Sequence, residues 1–174
     1  MNLKSTFSKF SDALSQLLRD DRYLLIANLS ERSIAHKLAL YLAELFEDYN
    51  VDCEYNGDVD SEGLRKILEI PREVMEELAV RSIRENDTYN IYPDIIIHQR
   101  GTNERNHLII ELKKTNSYQK LREYDLVKLK AFTNQYSYKL GIYLEFKTGE
   151  NCGINEVKFF QNGKEVDKEF LLDF

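Results

Sequence analysis

The apolar positions of this chain change period several times, and each change marks an element. Phe7, Phe10, Leu14, Leu17 and Leu18 recur at helical spacing, which predicts an amphipathic N-terminal helix over about residues 5–20. The apolar run Tyr23–Ala27 fits helix or strand equally. Ser30 is a suitable N-cap for a helix reaching about Tyr49, with the stripe Ile34, Leu38, Tyr41, Leu42, Leu45 and Tyr49. Val51 to Asn56 alternates apolar and polar, as a half-buried strand does. Ile95–Ile97 and Leu108–Ile110 are apolar at every position, the mark of strands covered on both faces, and a polar turn around Gly101-Thr102-Asn103 joins them as a hairpin. Helical period returns over Tyr118–Gln135, and Tyr138–Phe146 reads as a strand. Val157–Phe160 and Lys164–Val166 flank Asn162-Gly163, predicting a terminal hairpin over about residues 154–168 with a type I′ turn.

Residues 57–90 interrupt this order. They are charged and carry two short helical patterns, Leu64–Ile70 and Arg72–Ile83, the second with Pro71 at its first turn, so a helical insertion is expected there. The remaining order is helix, strand, strand, strand, helix, strand. It predicts one α/β domain over residues 1–174, with a central mixed β-sheet flanked by helices. At 174 residues and 43% hydrophobic, the chain suits one core better than two.

The central hairpin carries the candidate chemistry. Pro93-Asp94 enters its first strand, and Glu111-Leu112-Lys113 leaves its second, 17 positions from Asp94 to Glu111. Antiparallel pairing brings Asp94 roughly opposite Glu111, and alternation then points Asp94, Glu111 and Lys113 to one face. Two carboxylates and an ammonium at the end of an apolar sheet are costly unless they bind something. Glu31, one position after Ser30, projects into the apolar stripe of its helix, so it either favours the helix N-terminus or faces the sheet end. Lys128 interrupts the stripe Leu121, Tyr124, Val127, Ala131 and Phe132 of the later helix, with Asp125 one turn earlier. It either looks into the site or snorkels to Asp125.

Pro93-Asp94 followed by Glu111-Leu112-Lys113, on two buried strands in this order of elements, resembles the PD-(D/E)xK nuclease superfamily. The resemblance covers about Ser30 to Phe146. It implies a restriction-endonuclease-like core and a Mg²⁺-dependent nuclease acting on DNA, with Mn²⁺ able to substitute. Asp94, Glu111, the Leu112 carbonyl and Glu31 are the metal ligands it implies, with Glu54 in reserve for Glu31. Lys113 would orient the attacking water or stabilise developing charge. Lys114, Lys120 and Lys128 are the candidate substrate contacts. Small stand-alone members serve genome defence, repair or mobile elements, and many relatives cut as dimers, so the resemblance admits a homodimer or a larger defence or repair complex and leaves the oligomeric state open. The alternatives are a non-catalytic nucleic-acid- or protein-binding module of the same fold, and RNA as substrate.

Charge sharpens the partner question. The net charge is −6, yet residues 98–130 hold eight Lys or Arg against four acids, leaving −10 elsewhere. A local basic surface beside the candidate site suits a phosphodiester. No membrane-length apolar run and no signal core are present, so a cytoplasmic protein without a membrane partner is expected. Cys53 and Cys152 have no metal spacing and suggest no disulfide. His36, His98 and His107 lack further N or S ligands and are expected at the surface.

Overall fold

In a computed structural model, residues 1–58, 66–78 and 88–169 are described, without the side chains of 88–90. The elements are α1 (Leu3–Asp20), α2 (Tyr23–Ile26), α3 (Glu31–Leu45), β1 (Asn50–Cys53), β2 (Ile67–Glu69), α4 (Arg72–Glu77), β3 (Thr88–Asn90), β4 (Ile95–His98), β5 (Leu108–Lys114), α5 (Gln119–Gln135), β6 (Leu140–Lys147), β7 (Gly153–Gln161) and β8 (Lys164–Val166). Six strands form one open sheet in the order β1-β4-β5-β6-β7-β8. Only the β5–β6 pair is parallel, with α5 as its crossover; the other pairs are antiparallel. The mixed α/β sheet flanked by helices is therefore present. Among the described residues no helix is long and apolar enough to cross a membrane.

Strand alternation divides the core into two layers. Ile95, Ile97, Leu108, Ile110 and Leu112 face α1 and α3, whereas Ile96 and Ile109 face α5 together with Leu129, Phe132 and Tyr143. This two-sided burial explains why β4 and the first half of β5 lack polar positions; each Ile or Leu so buried contributes about 1.5–3 kcal/mol. Gly141 on β6 lets α5 close on the sheet, because a Cβ there would sit 3.0 Å from Thr133 Cγ2 and 3.2 Å from Phe160 Cβ.

Local signals explain the element ends. The Ser30 hydroxyl accepts from Ser33 N–H at 3.2 Å and starts α3. That helix stops at Leu45, short of Tyr49, because Phe46 turns fully into the core and packs edge-on to Tyr49 at 6.4 Å. Asn162 (φ 49°) and Gly163 (φ 76°) both take the left-handed conformation that a type I′ turn needs between β7 and β8. The ambiguous run after Arg22 is the single-turn α2.

Two sequence expectations change. Ile67–Glu69, expected within a helix, is a strand paired antiparallel with β3, and Leu68 and Ile70 join the α5-side core. Packing of alternate apolar residues there outweighs a helical pattern only a few residues long. The second pattern forms α4 over Arg72–Glu77, and its expected continuation through Ile83 lies outside the described residues. The histidines near the central turn are not at the surface: His98 is 2% exposed and His107 1%. His98 Nε2 lies 3.0 Å from Asp52, and His107 Nε2 lies 2.8 Å from the Thr6 hydroxyl, so each imidazole is a buried strut between elements. His36 is exposed, as expected.

Candidate active site

The antiparallel pairing Ile95↔Ile110 puts Asp94 and Glu111 opposite each other, one rung beyond it. Asp94 Oδ2 accepts the Leu112 N–H at 2.7 Å, so the strand backbone fixes the carboxylate. Glu111 is completely buried, on the α5 side of β5. Its Oε2 accepts from the Lys128 ammonium at 2.7 Å, while Oε1 is buried without a hydrogen-bond partner. Lys113, two residues on and therefore on the same face, places Nζ 2.7 Å from Asp125 and 3.3 Å from Glu31, and donates to the Leu112 carbonyl at 3.1 Å.

The opposing wall is α5. Arg122, Asp125 and Lys128, at spacing three, lie along one helix face, and each meets its opposite on the sheet. Arg122 pairs with Glu145 at 3.0 Å, Asp125 with Lys113, and Lys128 with Glu111. Lys128 also bonds Asp125 within the helix at 2.8 Å. Asp125 is 2% exposed and joins both lysines, yet sequence reasoning noted it only as a neighbour of Lys128. Its signal is an acid one and two turns before Lys128 and Phe132, on the helix face that is buried. Glu145 and Arg122 were missed, because a single Glu in a strand and a single Arg in a helix carry no distinctive spacing.

Glu31 reaches the site from the other layer. Its Oε1 accepts from Lys114 N–H at 3.0 Å and from the Ser117 hydroxyl at 2.8 Å, and its Oε2 faces Lys113. Because α3 packs on the opposite sheet face, Glu31 wraps around the end of β5. Its contacts lie with Lys113, Lys114 and Ser117 there. Among the described residues no three or more His, Cys, Asp or Glu side chains converge to hold a metal ion. The donors that suit Mg²⁺ are narrower than expected: Asp94, Glu111 and the Leu112 carbonyl. One or two carboxylates suffice for an ion that keeps most of its waters. Of these donors, Glu111 Oε1 is buried without a hydrogen-bond partner.

Electrostatics describe a site short of positive charge. Glu31, Asp94, Glu111 and Asp125 supply four carboxylates against the two ammoniums of Lys113 and Lys128, leaving −2 when all are ionised. Burial pushes the Glu111 carboxyl well above its usual range, with Asp125 and Asp94 adding to the rise and Lys128 opposing it. Burial likewise raises Asp94, against the pull of Lys128, Lys113 and the Leu112 N–H. For Lys113 and Lys128 burial works against the charged form, but the surrounding carboxylates outweigh it, and both stay protonated above the ordinary lysine range. Protonation relieves such an excess of buried carboxylate charge, as a bound cation would.

The expected substrate contacts separate. Lys128 is buried in the ion-pair chain and does not present its charge at the surface. A helix stripe read from sequence cannot distinguish a lysine reaching water from one reaching a buried carboxylate. Lys120 is exposed, and Lys114 is half-buried with its ammonium on Asn28 Oδ1 and the Leu29 carbonyl. Arg100 and Arg122 spend their charge on Asp52 and Glu145, so the local excess of cations is smaller at the surface than in the sequence. Glu54 pairs with Arg32 at 2.6 Å. Desolvation and the carboxylates of Asp94, Asp52 and Glu54 push the Cys53 thiol up to about 11, which leaves it a poor nucleophile.

No family model matches this chain, and no curated protein matches it. A solved structure described as "Crystal structure of SSO0001" is similar at 14% identity over 97% of this chain and 81% of that chain, with a TM-score of 0.30, too low to bear on fold or chemistry.

Proposed function

We propose that this chain is a restriction-endonuclease-like, metal-dependent nuclease that hydrolyses phosphodiester bonds in DNA. The observation that carries the reading is the Glu111 carboxylate: fully buried, one oxygen unpartnered, and one rung beyond the Ile95↔Ile110 pair beside Asp94, in a site where four carboxylates face two ammoniums. A bound Mg²⁺ would supply charge stabilisation at phosphorus and a water acidified toward hydroxide. Asp94 and Glu111 would hold it, with the Leu112 carbonyl beside them. Asp125 and Glu31 keep the Lys113 ammonium charged and fixed at the end of β5. From there Lys113 orients the attacking water or meets the negative charge that develops on the phosphoryl oxygens. Lys128 offsets part of the cost of burying Glu111, whose carboxyl still lies above its usual range, so a bound cation would compete with a proton for it.

One observation favours a second reading, a non-catalytic binding module of the same fold. The Lys128–Glu111 pair at 2.7 Å already compensates the buried acid with an ammonium. Linear, circular and branched DNA, and RNA, incubated with the protein and Mg²⁺, Mn²⁺ or EDTA, separate the two. Cleavage that needs the metal and is lost in Asp94→Ala, Glu111→Ala and Lys113→Ala supports the nuclease. The three losses should be strongly non-additive, because the groups act as a unit. No cleavage of any substrate moves the assignment to the binding module, whereas metal-dependent cleavage by Glu111→Ala at the wild-type rate shows that the site assignment is wrong.

A further inference from the structure

A second opening lies on the α3 side of Asp94. Arg32, Ala35 and His36 of α3, Cys53 and Glu54 at the end of β1, and Asp94 line a cavity of about 210 Å³. Arg32 reaches across to Glu54, with Nε 2.6 Å from the carboxylate, although the two side chains are 81% and 46% exposed. An ion pair this exposed adds little stability, so exchanging its anion for another costs little. The position of Glu54, by contrast, is built. Its φ of 49° is a left-handed conformation uncommon for a residue with a Cβ, and its N–H donates to the Pro93 carbonyl at 3.0 Å. The backbone thus clips Glu54 to the strand entry that carries Asp94 and sets it opposite Arg32.

The chemistry of the rim follows. A phosphodiester strand approaching Asp94 meets two acids in this cavity, Glu54 and Asp94, with the net negative site beyond them. Arg32 is the permanently charged cation on the cavity wall. Its planar fork matches two non-bridging phosphate oxygens as well as it matches a carboxylate. We propose that Arg32 is an exchangeable phosphate contact. It rests on Glu54 and transfers to a backbone phosphate of the nucleic-acid strand that lies over Asp94. Glu54 is the competing anion that sets how tightly the strand is held. This inference rests on the nuclease reading and adds a subsite to it.

The test is binding of a single-stranded, 5′-hydroxyl DNA oligonucleotide, followed by fluorescence anisotropy across a salt series, with Ca²⁺ replacing Mg²⁺ to suppress cleavage. Arg32→Ala should weaken binding about tenfold, as loss of a charge-assisted contact does. It should also lower the slope of log affinity against log salt by about 0.7, one single-strand phosphate contact. Arg32→Lys should recover only part of the loss, and Glu54→Gln should tighten binding by about threefold, the reverse of what a merely structural pair would give. Wild-type affinity and slope in Arg32→Ala overturn the inference, as does weakening by Glu54→Gln equal to that by Arg32→Ala. Dependence on Arg32 seen only with a 5′-phosphorylated copy assigns the contact to a terminal phosphate and overturns the backbone version. Melting of the same proteins with and without Mg²⁺ keeps the two levels apart. A wild type with neither a metal shift nor cleavage sinks the nuclease reading, whereas a metal shift with binding indifferent to Arg32 sinks this inference alone.

Discussion

Replacing Lys128 with methionine removes the ammonium and keeps most of the side-chain volume. Lys128 Nζ lies 2.7 Å from Glu111 and 2.8 Å from Asp125, and the three side chains are 8%, 0% and 3% exposed. Two buried carboxylates would lose a shared cation, and the site charge would fall from −2 to −3. Breaking a buried pair from one side typically costs about 3–5 kcal/mol, a large share of the roughly 5–15 kcal/mol that holds such a domain together. Protonation limits the damage. The Glu111 carboxyl is already raised in the folded state by burial, so its ionised form is the one that strains the fold. Stability linked to it is present below the ordinary carboxyl range and is lost as pH rises through the raised value. The variant should therefore lose less at pH 5 than at pH 8. Adding Glu111→Gln removes the orphaned charge, and the double variant should be more stable at pH 8 than Lys128→Met alone, with a coupling of about 1–3 kcal/mol. Guanidinium unfolding followed by circular dichroism reads all four proteins. A loss below about 1 kcal/mol for Lys128→Met at pH 8, or additive single and double effects, would show that the pair is not the compensating contact described here.

Three further outcomes follow from the same geometry. Mg²⁺ at 10 mM, for a dissociation constant of ~1 mM, should add about 1.4 kcal/mol and raise the melting temperature by roughly 3–5 °C; Glu111→Ala should blunt the shift, and an unchanged shift in that variant removes Glu111 from the ligand set. Charge reversal at Lys114 or Lys120 should weaken DNA binding and flatten its salt dependence, whereas reversal at Lys4 or Lys168 should do neither; equal effects in gel-shift titrations would remove the localised surface. His107, pushed down to about 4 first by burial and then by nearby cations, is neutral when folded, so its contribution is present above the unfolded value near 6.5 and is lost as pH falls toward 4. That amounts to about 3 kcal/mol at the acid limit, and the gap between wild type and His107→Gln in denaturation curves should shrink between pH 7 and pH 4; a constant gap contradicts the assignment.

Much of the fold was legible because its strongest signals are local and repeated. The unbroken Ile95–Ile97 and Leu108–Ile110 runs could only be strands covered on both faces, and the ladder Ile95↔Ile110 follows from the turn between them. Ser30 and Asn162-Gly163 each carry their own geometry, one as a hydroxyl cap and the other as two left-handed residues. The stretch around Ile67–Glu69 was misread because three residues satisfy a helical and an alternating pattern alike. Its pairing with β3 and its packing against α5 decide the matter, and neither is local.

The site was legible only where one strand pair determines it. Asp94, Glu111 and Lys113 share a face by alternation alone, so their grouping needs no knowledge of the rest of the chain. Asp125, Arg122 and Glu145 belong to it only once α5 is laid on β5 and β6, a placement that Gly141 permits. The same packing explains why α5 is weakly amphipathic in sequence. Its buried face is built partly of charges, and each is matched by an opposite charge on the sheet. A helix packed through apolar side chains alone can slide or rotate at small cost. One seated on the buried Lys113–Asp125 and Lys128–Glu111 pairs would put those charges out of register if it moved by a turn, at a cost of several kcal/mol for each uncompensated charge. The stripe that hides the site from a hydrophobic pattern therefore also fixes the helix over it. That fixed placement holds Lys113 and Glu111 still, the rigidity that the proposed phosphodiester chemistry would need.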